Sequence, residues 1–200
     1  MRIGVLALGA ANTRSIVAGL ERAGAEPLLL DRPARLHDVT ALVIPGVAHA
    51  GFVIDAIDRG GWRSELRSAI ASGLPTLGIC AGFHVLFASS DEAPQALGLE
   101  IFTGTVRRLT SAKVPHMGWN RVHALAPTFE SGWAYFAHSF APPPNLWDTA
   151  AVTEAPPPFT AVSAKRNVWG VQFHPERSGC YGARFLKRFL QTARETVYAR

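Results

Sequence analysis

Short apolar runs alternate with segments of helical period along the first half of the chain. The apolar runs predict strands at residues 3–8, 27–30, 41–44 and 75–79, and the helical periods predict helices at 13–23, 62–72 and 81–88. Asn12 or Thr13 can cap the first helix, and Gly73 is typical of the end of the second. Strands that alternate with helices indicate parallel α/β architecture.

The second half of the chain has a different pattern, in which short apolar runs are separated by turn residues. It predicts strands at residues 106–109, 122–125, 133–138, 150–154, 160–165 and 168–173. A helix at 182–194 follows, with one apolar face made of Phe185, Leu186, Phe189 and Leu190. We therefore expect one α/β domain over residues 1–200: a central mixed, mostly parallel sheet flanked by helices, with an antiparallel extension.

Composition narrows the class of protein. Of 200 residues, 48% are apolar and 18% charged, and no segment approaches the roughly 18 to 20 continuous apolar residues of a membrane helix. The first residues lack the features of a signal peptide, which predicts a cytoplasmic protein. The net charge of +5 comes from scattered Lys and Arg without a basic run, so we expect neither a nucleic-acid nor a membrane partner.

Residues 78–82 read Gly-Ile-Cys-Ala-Gly and place Cys80 between a predicted strand and a predicted helix. This is the pattern of a nucleophile elbow, in which a sharp turn holds the nucleophile and neighbouring side chains would clash. The start of the following helix favours a thiolate over a thiol and can stabilise an oxyanion. A buried structural cysteine is the alternative interpretation, so the motif needs a base.

The candidate base stands in the segment His174-Pro175-Glu176, directly after a predicted strand. A cysteine nucleophile needs a base within hydrogen-bond reach, and the base needs a third group that fixes its tautomer. Cys80 and His174 both follow predicted strands, where open α/β sheets place their sites. The three side chains together predict a Cys-His-Glu catalytic site.

With these two motifs the sequence resembles the class I, or triad, glutamine amidotransferases. The resemblance implies their flavodoxin-like fold, with Cys80 as the nucleophile, His174 as general base and then acid, and Glu176 as the group that orients it. It also implies a reaction that needs no cofactor and no metal. Residues in the family's substrate and oxyanion segments are Gly46, Val47, Ala48, Ala81, His84, Ser139 and Phe140.

Three further segments narrow the resemblance to the glutaminase subunits of imidazole glycerol phosphate synthase: residues 115–120 (PHMGWN), 135–140 (YFAHSF) and 172–178 (QFHPERS). Such subunits hydrolyse glutamine for histidine biosynthesis and channel the ammonia to a (β/α)8-barrel cyclase in a heterodimer. The residues that the resemblance places at the partner interface are Asn12, Met117, Trp119, Asn120, Tyr135 and Arg177.

The sequence departs from the family pattern in its pocket segments. His84 stands where the family has a glutamine that helps to hold the substrate, and Ala48 stands where it has a glycine. If residue 48 must adopt a positive φ, alanine costs on the order of 1 kcal/mol more than glycine. Residues 9–12 also lose a glycine. Two alternatives stay open: an amidotransferase subunit that feeds another synthase, for example a sugar-modifying one, and a catalytically weakened subunit that activates its partner.

Overall fold

The computed structural model describes residues 1–9, 13–46, 49–111, 113–145 and 147–198. The strands are β1 (Arg2–Leu6), β2 (Glu26–Leu30), β3 (Ala41–Ile44), β4 (Thr76–Ile79), β5 (Phe87–Ser90), β6 (Phe102–Arg108), β7 (His116–Ala124), β8 (Gly132–His138), β9 (Phe140–Ala141), β10 (Thr149–Thr153), β11 (Thr160–Lys165) and β12 (Val168–Val171). The helices are α1 (Thr13–Arg22), α2 (Ala50–Arg59), α3 (Trp62–Ala71), α4 (Ala81–His84) and α5 (Gly179–Tyr198), with 3₁₀ turns at Pro33–Asp38 and Pro175–Arg177.

Nine of these strands form one mixed sheet in the order β2-β1-β3-β4-β12-β11-β10-β7-β8. The pairings from β2 to β12 are parallel, and those from β12 to β8 are antiparallel. A smaller sheet of order β5-β6-β9 lies apart from it. The expected mixed sheet with an antiparallel extension is therefore confirmed, and β4 and β12 are neighbours at its centre.

The inner parallel strands β3, β4 and β12 are buried on both faces. In β3 all four residues are inaccessible to solvent: Ala41 and Val43 belong to the core that includes α1 and α5, while Leu42 and Ile44 belong to the core that includes α2 and α3. Successive side chains of a strand point to opposite faces, so an apolar side chain at every position serves both cores. This explains why the strand is a continuous apolar run in the sequence.

Helix α5 covers one face of the sheet with the apolar stripe that the sequence predicts. Its four large side chains, Phe185, Leu186, Phe189 and Leu190, are each at most 6% exposed. Burying such a side chain stabilises the fold by roughly 1.5–3 kcal/mol. Among the described residues, no helix is both long and apolar enough to cross a membrane.

The predicted helix at 81–88 is wrong beyond its first turn. Helix α4 ends at His84, and residues 87–90 form β5. The carbonyls of Val85 and Leu86 accept hydrogen bonds from the amides of Leu99 and Ile101, at 2.7 and 2.8 Å. A distant segment thus takes the carbonyls that a continuing helix would use, and a local pattern contains no information about that segment.

Candidate active site

Cys80 stands in the strand-to-helix turn that the sequence predicts, with a φ of +53° that only a few non-glycine residues adopt. The two flanking glycines are needed for space. A Cβ on Gly82 would lie 1.9 Å from the carbonyl oxygen of Ile44, and one on Gly78 would lie 2.5 Å from the carbonyl oxygen of Gly82. The turn therefore holds Cys80 in a strained backbone conformation at the end of β4.

The order of the strands in the sheet brings His174 close to Cys80. Because β12 lies beside β4 in parallel, the Cys80 amide donates to the Val171 carbonyl at 2.8 Å, and the chain beyond Val171 passes the cysteine. The side chains of His174 and Cys80 interact, and this contact raises the pKa of His174. His174 Nδ1 lies 3.0 Å from Glu176 Oε1, and the Glu176 side chain is only 1% exposed. The three predicted residues thus form one contiguous arrangement.

The electrostatics of this arrangement favour an imidazolium. Burial lowers the pKa of His174, but hydrogen bonds to Cys80 and Glu176, together with their negative charges, outweigh it and raise this pKa to about 10. A protonated His174 between two anionic groups is the form that supports a Cys80 thiolate and can later donate a proton. Glu176 is the partner that keeps the ring oriented.

A buried serine ties the His174 segment to the edge strand β8. Ser178 Oγ donates to the His174 carbonyl at 2.7 Å and accepts from the Tyr135 amide at 2.9 Å. The His174 amide donates to the Tyr135 carbonyl at 2.9 Å. Ser178 is 1% exposed, so these bonds are shielded from water. They fix the backbone that carries the base.

A pocket of about 370 Å³ opens onto Cys80. Four residues that the resemblance places around the substrate, Ala81, His84, Ser139 and Phe140, line it. A fifth, Gly46, lies beneath, where its carbonyl accepts from the Ala81 amide at 3.3 Å, so this amide is already hydrogen-bonded. Val47, Ala48 and the interface candidate Asn12 lie outside the described residues.

Glu92 also lines this pocket, and it did not stand out in the sequence. Its Oε2 accepts from the Ala50 amide at 3.0 Å and lies 3.5 Å from His84 Nδ1. Burial raises the pKa of Glu92, but the contacts with His84 and Ala50 and the nearby charges of His84 and His49 outweigh it, so the pKa is lowered. The pocket therefore contains a carboxylate. The sequence signal was weak, because an isolated Glu after a short strand is usually solvated.

His138 closes the pocket from β8 and is a neutral, structural histidine. It is 7% exposed, and its Nδ1 donates to the Phe140 carbonyl at 2.8 Å. Burial lowers its pKa to about 3. The ring packs against Phe159 with centroids 4.8 Å apart. His138 therefore shapes the pocket without carrying a charge near neutral pH.

Beside the pocket mouth, the hairpin of β7 and β8 and the 3₁₀ turn after β12 form an exposed surface that we call the docking face: Met117, Trp119, Tyr135 and Arg177. Met117 and Trp119 are 62% and 55% exposed, and the Arg177 guanidinium lies 4.4 Å from the Tyr135 ring centre. Met117 also lines the pocket, so the two surfaces are continuous. Asn120, a further interface candidate, projects to the opposite face of β7 and contacts His116.

Within the described residues, no group of three or more His, Cys, Asp or Glu side chains is arranged to hold a metal ion. Cys180, the second cysteine, is exposed.

A cysteine elbow on one central strand of a mixed sheet, with a His-x-Glu segment after the parallel neighbouring strand, is the arrangement expected of a triad amidotransferase. The sequence profile described as "Glutamine amidotransferase class-I" matches residues 6–193, and the chain belongs to this family.

Similarity to individual proteins is more specific. The chain is 38% identical to imidazole glycerol phosphate synthase subunit HisH of Deinococcus radiodurans, over 92% of this chain and 91% of that protein. It is 34% identical to the protein of the same name from Methanopyrus kandleri, over 96% of this chain and 99% of that protein. It is 39% identical to the protein of that name from Halobacterium salinarum, over 93% of this chain and 91% of that protein.

Solved structures show the same fold at lower identity. A crystal structure of a glutamine amidotransferase matches with a TM-score of 0.80 and 21% identity, over 96% of this chain and 98% of that one. The structure of PurLQS from Thermotoga maritima matches with a TM-score of 0.74 and 19% identity, over 98% of each chain. The class I amidotransferase fold expected from the sequence is confirmed.

Proposed function

We propose that this chain is a glutaminase subunit of imidazole glycerol phosphate synthase, which hydrolyses glutamine to glutamate and ammonia for histidine biosynthesis. The observation that carries the proposal is the Cys80–His174–Glu176 arrangement, in which Cys80 lines a pocket that is continuous with an exposed apolar face. The relatives at 34–39% identity are subunits of this synthase by name.

In the proposed reaction, the Cys80 thiolate attacks the side-chain carbonyl carbon of glutamine and forms a C–S bond. The tetrahedral intermediate breaks its C–N bond, and His174 gives its proton to the departing ammonia. The neutral His174 then takes a proton from water, whose oxygen attacks the thioester. Breakage of the C–S bond releases glutamate and restores the thiolate and the imidazolium. Glu176 stabilises the protonated ring in both steps.

The pocket also offers a way to recognise the amino-acid end of glutamine. Glu92 is the carboxylate of the pocket, and a lowered pKa keeps it charged. We assign it as the acceptor for the substrate's α-ammonium group, because a partly buried charge is stabilised by an opposite charge. A glutamine analogue that lacks the α-ammonium group should bind poorly.

The proposed partner is a (β/α)8-barrel cyclase that covers the docking face. Large exposed aromatic and apolar side chains beside a pocket are typical of an interface centre. Because Met117 belongs to both surfaces, a partner seated there would cover the pocket mouth and receive ammonia before it meets bulk water. We propose no nucleic-acid partner.

The test is glutamate release by the purified chain, alone and with a histidine-pathway cyclase plus its nucleotide ligand. Cys80→Ala should abolish release, whereas Cys180→Ala, the same change at the exposed cysteine, should leave it unchanged. Turnover that rises with the cyclase supports the whole proposal. Turnover that does not change when this cyclase is added would support the glutaminase activity but indicate that the chain serves another synthase. No turnover in any mixture would contradict the enzyme and favour the partner-activating alternative.

A further inference from the structure

Gln172 is the residue directly after β12, and its side chain contacts Cys80. It is inaccessible to solvent, and its Nε2 lies 3.9 Å from Cys80 Sγ. Its Oε1 lies 2.8 Å from His84 Nε2. An amide donates only through its nitrogen, so an N–H group of Gln172 faces the sulfur and Oε1 accepts a hydrogen from His84.

The orientation of Gln172 also fixes the use of the His84 ring nitrogens. Nε2 of His84 donates to Gln172, and Nδ1 lies 3.5 Å from Oε2 of the Glu92 carboxylate. This Nδ1 is buried and has no hydrogen-bond partner among the described residues. The ring thus lies between the Gln172 amide and the Glu92 carboxylate, and its Nε2–H can only be used for Gln172. The Ala50 amide holds the same carboxylate oxygen at 3.0 Å.

We propose that Gln172 is a further catalytic residue, whose side-chain N–H stabilises the Cys80 thiolate, and that His84 is the positioning residue that holds the Gln172 amide in this orientation. We call Glu92, His84, Gln172 and Cys80 the relay. The inference deepens the proposed function and rests on its thiolate chemistry. It also gives a role to His84, the residue at which this sequence departs from the family pattern.

The relay reaches the sulfur independently of the base. The titratable groups around Cys80 are His174 with Glu176, His84 with Glu92, and His138 and His49 in the pocket wall. His174 acts on the sulfur through its own hydrogen bond, and His138 is uncharged. A change at Gln172 therefore alters the support of the thiolate while the His174–Glu176 pair stays in place.

The first test measures the rate at which iodoacetamide alkylates Cys80 as a function of pH, in a Cys180→Ser background so that only one thiol reacts. Gln172→Glu keeps the shape but places an acceptor beside the sulfur. It should move the midpoint of the alkylation profile up by at least about one pH unit, a tenfold loss of thiolate at a fixed pH. His84→Phe should raise the midpoint by a smaller amount. His84→Gln, whose amide can donate to Gln172, should keep the midpoint of the parent protein.

A second measurement needs no change at the relay and serves if a variant fails to fold. The chain has three glutamines, and of these only Gln172 is buried, whereas Gln95 and Gln191 are exposed. In a spectrum of protein labelled with ¹⁵N only at the glutamine side-chain amides, the protected signal should shift when Cys80 is alkylated or changed to Ala.

Unmoved midpoints in folded Gln172→Glu and His84→Phe, or an amide signal indifferent to Cys80, would overturn the proposal. Its failure is distinguishable from failure of the proposed function, since these readouts need no turnover. A shifted midpoint in a protein that releases no glutamate would retain the relay and contradict the glutaminase.

Discussion

At the scale of single residues, burial and the immediate partners decide which histidine is charged. His174 and His138 both lie near Cys80 and both are at most 7% exposed. His174 faces two groups that become negative and keeps its proton, whereas His138 faces a carbonyl and aromatic rings and stays neutral. Two buried histidines near one cysteine can therefore differ in charge.

The neutral His138 predicts acid sensitivity of the fold. An unfolded chain binds a proton on this residue near pH 6.5, whereas the folded chain binds it only near pH 3. Protonation therefore favours unfolding, and this residue should lower the free energy of unfolding by about 2 kcal/mol between pH 7 and pH 5. Urea unfolding at the two pH values measures this loss.

His138→Asn should reduce the loss by that amount, because an amide keeps a donor for Phe140 without titrating. The exposed His37→Asn is the matched control and should leave the pH dependence as in the wild type. Equal acid sensitivity of all three proteins would contradict the assignment of His138.

At the scale of elements, the catalytic geometry depends on how β4, β12 and β8 are connected. The first two strands place Cys80 and His174 side by side, and the edge strand β8 holds the segment after β12 through Ser178. The base thus stands on a loop that is fixed at both ends. An edge strand that is covered in this way also exposes fewer unpaired backbone groups.

Ser178→Ala should therefore reduce kcat more than it raises KM. The change leaves the buried Tyr135 amide without its acceptor, which costs about 1–3 kcal/mol of stability. It also frees the His174 backbone, and a displacement of about 1 Å at a catalytic group can slow turnover by roughly 100-fold.

Steady-state glutamate release and thermal unfolding measure both effects. Ser111→Ala is the matched control, since its hydroxyl donates to the Lys113 carbonyl in an exposed turn, and it should change neither quantity. A Ser178→Ala protein with normal kcat would show that other contacts suffice to hold His174.

At the scale of the whole molecule, the docking face lies at the antiparallel end of the sheet and meets the pocket at Met117. We expect Trp119→Ala to weaken binding of the cyclase by at least about 2 kcal/mol, roughly 30-fold in Kd, because central aromatic side chains dominate interfaces. Titration calorimetry with the purified cyclase measures this change.

Trp147→Ala is the matched control for that experiment. Trp147 is 82% exposed but precedes β10 at the other end of β7, where the Leu125 amide binds the Ala150 carbonyl. The Trp147→Ala substitution should leave the Kd for the cyclase unchanged. Equal weakening by both substitutions would place the partner elsewhere.

The sequence by itself determined the α/β architecture, the elbow at Cys80 and the pairing of His174 with Glu176. These features are local: an elbow needs glycines at fixed spacing, and His-Pro-Glu places two side chains next to each other. Continuous apolar runs predicted the buried strands for the same reason, since each position faces a core.

Only the tertiary structure decided the contacts that connect distant segments. Glu92 is held by the Ala50 amide, 42 positions away in the chain, and Ser178 accepts from the Tyr135 amide, 43 positions away. The same cause ended the predicted helix at His84, since the carbonyls beyond it bind residues 99–102. Which strands become neighbours depends on the packing of two cores at once, and no local pattern of apolar and polar residues specifies it.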